Sequence, residues 1–111
     1  MREESADLLK GTLDVLILKV VALGPIHGYG ISQRIQRMSN DLFRVRQGAL
    51  YPTLQRLQNR GWLQADLKQT ETRREAQFYS LAKEGRKQLE EKVANWELLS
   101  NAVANILRTA E

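Results

Sequence analysis

From Ala82 to Arg108 the chain contains no proline, and Leu89, Val93, Trp96, Leu99, Val103 and Ile106 recur through it at a spacing of three or four residues. That period marks one face of an α-helix. A helix of this length spans roughly 40 Å. A chain of 111 residues makes a domain whose radius of gyration is only about 13 Å. The helix therefore outreaches its own domain, and its apolar stripe needs cover from elsewhere. The simplest cover is a second copy of the chain related by a two-fold axis.

The preceding residues divide at clear punctuation. Thr12 to Leu23 reads TLDVLILKVVAL and is apolar nearly all round, so it predicts a helix buried on more than one side, with Thr12 as N-cap and Asp14 in the first turn. Gly24-Pro25 stops it. A second helix is expected from Tyr29 to Met38, with Ile31, Ile35 and Met38 as its buried stripe and Ser39-Asn-Asp as its end. A third begins near Gln47-Gly48, with Pro52 in its first turn, a core stripe of Leu50, Leu54 and Leu57, and Gly61 at the C-cap. Gly48, Pro52, Gln55, Arg56 and Asn59 point away from that stripe, with Tyr51 and Gln58 on its flank. Two strand candidates follow, Trp62 to Lys68 and Gln77 to Leu81. The polar link Gln69 to Glu75 joins them as a hairpin tipped by Arg73 and Arg74. The fold class is mostly α with a small β-hairpin: a winged helix-turn-helix plus a long C-terminal dimerisation helix.

Composition narrows the function. Charged residues make up 27% of the chain and hydrophobic ones 42%, a globular balance for one domain. The net charge of +4 is concentrated between residues 28 and 60, where six arginines (Arg34, Arg37, Arg44, Arg46, Arg56 and Arg60) face one acidic residue, Asp41. Clustered arginine suits phosphates and guanine edges, because the guanidinium fork bonds in two places at once. An enzyme is disfavoured by inventory. There is no cysteine, one histidine, no phosphate-loop motif and no paired carboxylates on a recognisable cleft. No cofactor or metal is expected, and His27, in a Gly-rich turn, reads as a structural hydrogen bonder. The absence of cysteine fits a reducing compartment, no apolar run is long enough to span a membrane, and the acidic, polar start Met1-Arg-Glu-Glu does not read as a signal peptide, so the expected location is cytoplasmic with no membrane partner.

Several segments, taken in order, resemble the PadR family of transcriptional regulators, in particular its short subfamily with a single C-terminal helix. They are Gly11-Thr-Leu-Asp-Val-Leu-Ile-Leu, His27-Gly-Tyr-Gly, Gly48-Ala-Leu-Tyr-Pro-Thr-Leu-Gln-Arg-Leu, Gly61-Trp-Leu, Phe78-Tyr-Ser-Leu and Gly85-Arg. Together they cover roughly residues 8 to 90. Where the family pattern places a threonine before the last helix, this chain has Ala82, with Ser80 as the substitute cap one turn earlier. The resemblance implies a dimeric repressor on a palindromic operator, released when an effector binds. In some members the effector is a planar aromatic compound held between the subunits.

These readings give a set of expected sites. DNA contacts are expected from Tyr29, from Gln47, Ala49, Tyr51, Pro52, Gln55 and Arg56 on the third helix, and from Arg73 and Arg74 on the wing. Gln47 and Gln55 suit adenine, Arg56 guanine, and Pro52 a thymine methyl. The dimer interface is expected from Leu13, Leu16, Leu89, Val93, Trp96, Leu99, Val103 and Ile106, with Trp96 also a possible wall for an aromatic effector. Residues 1–80 are expected to form the DNA-binding domain, with the first helix contributing to dimerisation, and residues 81–111 the dimerisation helix. The alternative is a winged-helix interaction module that has no DNA partner.

Overall fold

The computed structural model describes residues 12–110. Residues 1–11 and 111, which include Gly11 of the first motif and the ends of the two expected units, lie outside the described residues. The elements are α1 (Leu13–Ala22), β1 (Ile26–His27), α2 (Gly28–Met38), α3 (Gln47–Asn59), β2 (Leu63–Gln69), β3 (Glu75–Leu81) and α4 (Lys83–Arg108). No helix among the described residues is long and apolar enough to cross a membrane.

Helix α1 sits at the centre. Leu13, Ile17, Leu18, Val20 and Val21 are buried, and Val15, Leu16 and Ala22 are half-buried against the same core. It packs against α2, α3, α4 and β3. Its neighbours supply Ile31 and Ile35 from α2, Leu50, Leu54 and Leu57 from α3, Leu63 and Tyr79 from the sheet and Leu89 from α4. Each fully buried aliphatic side chain here contributes about 1.5–3 kcal/mol of transfer free energy. Met38, expected on the buried stripe of α2, is instead exposed. The helix ends at Met38, and Asn40 and Asp41 turn the chain away in left-handed conformations (φ 54° and 67°). The short Asx side chains tolerate that region, and Gln36 Nε2 donates to Asp41 Oδ1 at 3.0 Å to hold the turn.

Helix α2 starts one residue earlier than expected because His27 caps it: its Nδ1 accepts from the Gly30 N–H at 3.0 Å. Helix α3 begins at Gln47, so Pro52 is in its second turn, not its first. The missing proline N–H leaves the Gly48 carbonyl without its helical partner, and Gly48 is exposed. After Arg60, Gly61 takes φ +78° and its N–H donates to the Gln58 carbonyl at 2.9 Å, closing the helix.

The expected hairpin is the larger part of a three-stranded antiparallel sheet, ordered β1-β3-β2. Leu63 pairs with Leu81 at the base of the hairpin and Gln69 with Glu75 near its tip. The unanticipated strand β1 pairs Ile26 with Tyr79 and His27 with Phe78. A two-residue strand is too short to carry a period-2 signal, so it was illegible in sequence. His27 also meets Phe78 edge-on, with centroids 5.3 Å apart.

Helix α4 follows β3 after one residue. Ala82 occupies its N-cap position and makes no side-chain cap, while Ser80, the expected substitute, is paired with Gln64 inside the sheet. The start is fixed instead by backbone: the Ala82 N–H donates to the Trp62 carbonyl at 3.0 Å. The buried Gly85 sits one turn further on, where a Cβ would fall on that same carbonyl. Beyond Val93 the helix leaves the core, and the described residues extend over 59 × 31 × 20 Å with a radius of gyration of 15.5 Å.

Replacing Gly85 with alanine should force α4 away from Trp62 and cost about 1–3 kcal/mol, the usual range for overpacking. Urea denaturation at one fixed protein concentration reads that loss. An unchanged midpoint would show that the close approach is not needed.

Candidate nucleic-acid interface

Helix α3 has four buried positions, Leu50, Thr53, Leu54 and Leu57. At 100° per residue the opposite face is centred on Gly48, Pro52, Gln55 and Asn59, and all four are exposed. The face is uncharged. Two of its residues are poor choices for a helix: Gly costs about 1 kcal/mol and Pro about 3 kcal/mol relative to Ala in a helix interior. Neither is required by the fold. A Cβ at Gly48 would meet nothing within 4 Å. What the pair does provide is a flat approach to the backbone and a carbonyl left open to an outside donor.

Arg56, expected to reach a guanine, is committed elsewhere. Its Nη1 and Nη2 donate to the two carboxylate oxygens of Asp14, each at 2.9 Å, tying α3 to the first turn of α1. The residue expected to read a base is thus held in an ion pair within the chain. The cause is the burial of α1: the Asp14 side chain is 19% exposed, and a half-buried carboxylate needs a partner. Hydrogen bonding to Arg56 holds the Asp14 carboxyl below the usual carboxylate range, against the opposing pull of partial burial; the charges of Arg56, Lys92 and Arg60 add to the lowering. Arg60 is also engaged, with its guanidinium 5.2 Å from the ring centre of Trp62, which Lys92 approaches at 5.3 Å.

Of the remaining expected contacts, Gln47, Ala49 and Pro52 are exposed on α3. Tyr29 is 59% exposed at the start of α2. Tyr51 is 43% exposed, and its ring lies over Gly28, where a Cβ would strike it. Tyr51 thus packs on the second helix while keeping an open edge. Beneath it Tyr79 is buried, and burial pushes its phenol up, with Tyr51 adding to the shift. At the wing tip, Thr70 and Arg74 close the turn: the Thr70 N–H donates to the Arg74 carbonyl at 2.7 Å and the Arg73 N–H to the Thr70 carbonyl at 2.9 Å. Arg73 takes φ +64°, a conformation that costs an L side chain on the order of 1 kcal/mol and glycine nothing.

Sequence reasoning missed one feature. A cleft of about 970 Å³ separates α2 from the wing, lined by Tyr29, Gln33, Arg34 and Arg37 on the helix and by Thr70, Thr72 and Arg74 on the hairpin, together with Glu71 and Glu75. Helical spacing places Tyr29, Gln33 and Arg37 on one face, which was the available signal. The partner wall was not foreseeable, because it depends on β1 drawing the wing beside α2.

The expected dimer residues divide. Leu13 and Leu89 are only 6% and 8% exposed and pack in the core of the single chain. Leu16 and Val93 are half-buried against that core. Trp96, Leu99, Val103 and Ile106 are exposed, at 51%, 59%, 46% and 73%.

The sequence matches the Transcriptional regulator PadR-like family over residues 17–91. A PadR-like transcriptional regulator from Bacillus cereus has the same fold, with a TM-score of 0.83 and 28% identity over 94% of this chain and 99% of that one. A transcriptional regulator from Clostridium thermocellum is similar at TM-score 0.83 and 26% identity, over 92% of this chain and 99% of its own. An uncharacterised protein of Lysinibacillus sphaericus is 29% identical over 91 residues, 82% of this chain and 84% of its own. The chain belongs to the PadR-like family, whose members are transcriptional regulators and not enzymes, and its fold is their winged helix with a long C-terminal helix.

The Asp14–Arg56 bridge has a signed pH dependence. A folded carboxyl held below its ordinary value of 3.8 stabilises above that pH, and the contribution is lost as pH falls through the folded value. Asp14→Asn should therefore cost about 1 kcal/mol at pH 7, the upper end for a partly exposed pair because the contact is bidentate. The gap from the parent chain should close as pH falls from the ordinary carboxylate range through the lower folded value. A gap constant across that range, measured by denaturant titration, would refute the bridge.

Proposed function

We propose that this PadR-like regulator binds double-stranded DNA in a sequence-specific manner as a homodimer, and that it represses transcription from a palindromic operator until a small aromatic effector releases it. The observation that carries the DNA reading is the outward face of α3. Gly48 and Pro52 are weak helix formers that lie exposed, and a Cβ at Gly48 would meet nothing within 4 Å. Small or flat residues at the centre of a helix face suit close approach to a major groove. The arginine-lined cleft between α2 and the wing lies on the same winged unit, and its charge suits the phosphate backbone. Residues 1–80 carry this role and residues 81–111 carry dimerisation.

Dimerisation is supported by α4. Trp96, Leu99, Val103 and Ile106 continue the helical spacing of the buried Leu89 into solvent, so the same stripe that closes the core continues as an open seam. A second copy packed antiparallel or crossed over this seam would set two α3 helices on opposite sides of a two-fold axis, matching a palindrome. Trp96, half-exposed on that seam, is the proposed wall for a planar effector. Saturable quenching of its fluorescence, measured with Trp62 replaced by Phe, reads that contact.

A band-shift titration on the chain's own upstream DNA tests binding. Affinity should fall steeply with salt, as counterion release requires. Gly48→Ala should raise the melting temperature, by about 0.5–1 kcal/mol of stability, and at the same time weaken operator binding. A variant that is more stable and binds equally well would remove α3 from the interface, and no binding at low salt would favour a protein-interaction module.

Light scattering tests the dimer. The parent chain should be dimeric at micromolar concentration, and Leu99→Asp together with Ile106→Asp should give a folded monomer. A dimer that survives both charges would place the interface elsewhere.

A further inference from the structure

We propose that Gln55 reads an adenine in each half-site and that Asn59 is the positioning residue that makes it an adenine reader, while Arg56 reads no base. This rests on the DNA-binding reading above. Gln55 and Asn59 are both exposed on the α3 face centred on Gly48 and Pro52. Gln55 Nε2 donates to Asn59 Oδ1 at 3.0 Å. That bond orients the Gln55 carboxamide with its Nε2 toward Asn59.

The consequence follows from the inventory of hydrogen-bonding groups. A carboxamide carries two N–H donors and one carbonyl acceptor. Asn59 Oδ1 takes one N–H. Gln55 is left with its Oε1 and a single N–H, an acceptor beside a donor. Adenine offers the complement in the major groove, an N6 amino donor beside the N7 acceptor. Guanine offers two acceptors there, N7 and O6, and only one of them can be satisfied by this pair. An unanchored glutamine rotates its amide freely and discriminates less. The four-residue separation places Asn59 one turn behind Gln55 on the same face, so the anchor needs no movement on binding.

The same face holds no free guanine reader. Both Arg56 guanidinium arms are used on Asp14, and Arg60 is turned to Trp62. A guanidinium reaching a guanine from Arg56 would first have to abandon a half-buried carboxylate. Base recognition by α3 therefore falls to amides, and the half-site it prefers is centred on an A·T pair.

Selection from a random duplex pool, repeated with variants, tests this. The parent chain should select a half-site with one A·T pair whose replacement by G·C weakens binding about 5- to 150-fold, the range of one bidentate base contact. Gln55→Ala should erase the preference at that pair alone. Gln55→Glu, which keeps only acceptors, should shift it toward C·G through the cytosine amino group. Asn59→Asp retains the anchoring oxygen and should keep the A·T preference ratio while lowering affinity for all sequences alike. Asn59→Leu should lose the ratio while melting at the parent temperature, which a merely structural role would not produce. Arg56→Lys should select the parent sequence. If Gln55 and Asn59 variants select the parent sequence, or if Arg56→Lys alone changes a guanine position, the proposal is overturned. If the parent chain selects no sequence and binds no duplex at low salt, the DNA-binding reading itself falls, and this inference with it.

Discussion

The burial of α1 organises everything else in the structure. A ten-residue helix with apolar side chains on nearly every side cannot sit on a surface, so the other elements must surround it. Helix α2, helix α3, the sheet and the first turns of α4 each contribute a strip of the shell. Asp14 is the cost of this arrangement: a charge in the first turn of a helix that is almost wholly enclosed. Arg56 offsets it from α3, and in doing so fixes how the recognition helix is seated on the hub. The orientation of α3 is thus set by a polar contact at one end and by Leu50, Leu54 and Leu57 along its length.

This changes what the arginine cluster means. Read as a count, six arginines within 33 residues describe a basic surface. Read in place, they do different work. Arg56 and Arg60 serve the chain internally, on Asp14 and Trp62. Arg34 and Arg37 line a cleft with Arg74. Arg44 and Arg46 are exposed on the approach to α3. The cationic surface accordingly lies beside the α3 face and not on it. On the proposed reading, long-range attraction would fall to these charges and base discrimination to the neutral amides of α3, which suits a face that must approach bases without being held by the nearest phosphate.

Much of this was legible in sequence, and the failures have a common cause. Helix positions, the hairpin, Gly61 and the uncovered C-terminal stripe all follow from local periodicity and turn chemistry, which depend on neighbours within a few residues. The start of α3 at Gln47 agrees with the sequence reading, and Pro52, five residues on, falls in the second turn and not the first. Strand β1 was invisible because two residues show no period. The ion pair of Arg56 is not legible in sequence because its partner lies 42 residues away, and an outward position on a wheel does not reveal a long side chain folded back along the flank. The burial of Leu13 and Leu89 within the single chain is not legible for the complementary reason: periodicity identifies an apolar face but not whether the covering surface belongs to the same chain. Trp96 and Leu89 share one stripe and one spacing, yet one is open and the other enclosed.

That shared stripe gives α4 its mechanical significance. Its first turns are locked to the hub by Leu89, by the Ala82–Trp62 hydrogen bond and by the closeness of Gly85 to the Trp62 backbone. The helix cannot pivot at its base without disturbing the core that seats α3. In the proposed dimer, the crossing of two such helices would therefore fix the distance and angle between the two α3 faces, and half-sites one helical turn apart, roughly 34–36 Å, leave little tolerance. A ligand inserted beside Trp96 would act midway along α4. A small change in crossing angle there becomes a larger displacement at α3, so an effector need not touch the DNA-reading face to release it. The requirement is only that it bind the two crossings with different affinity.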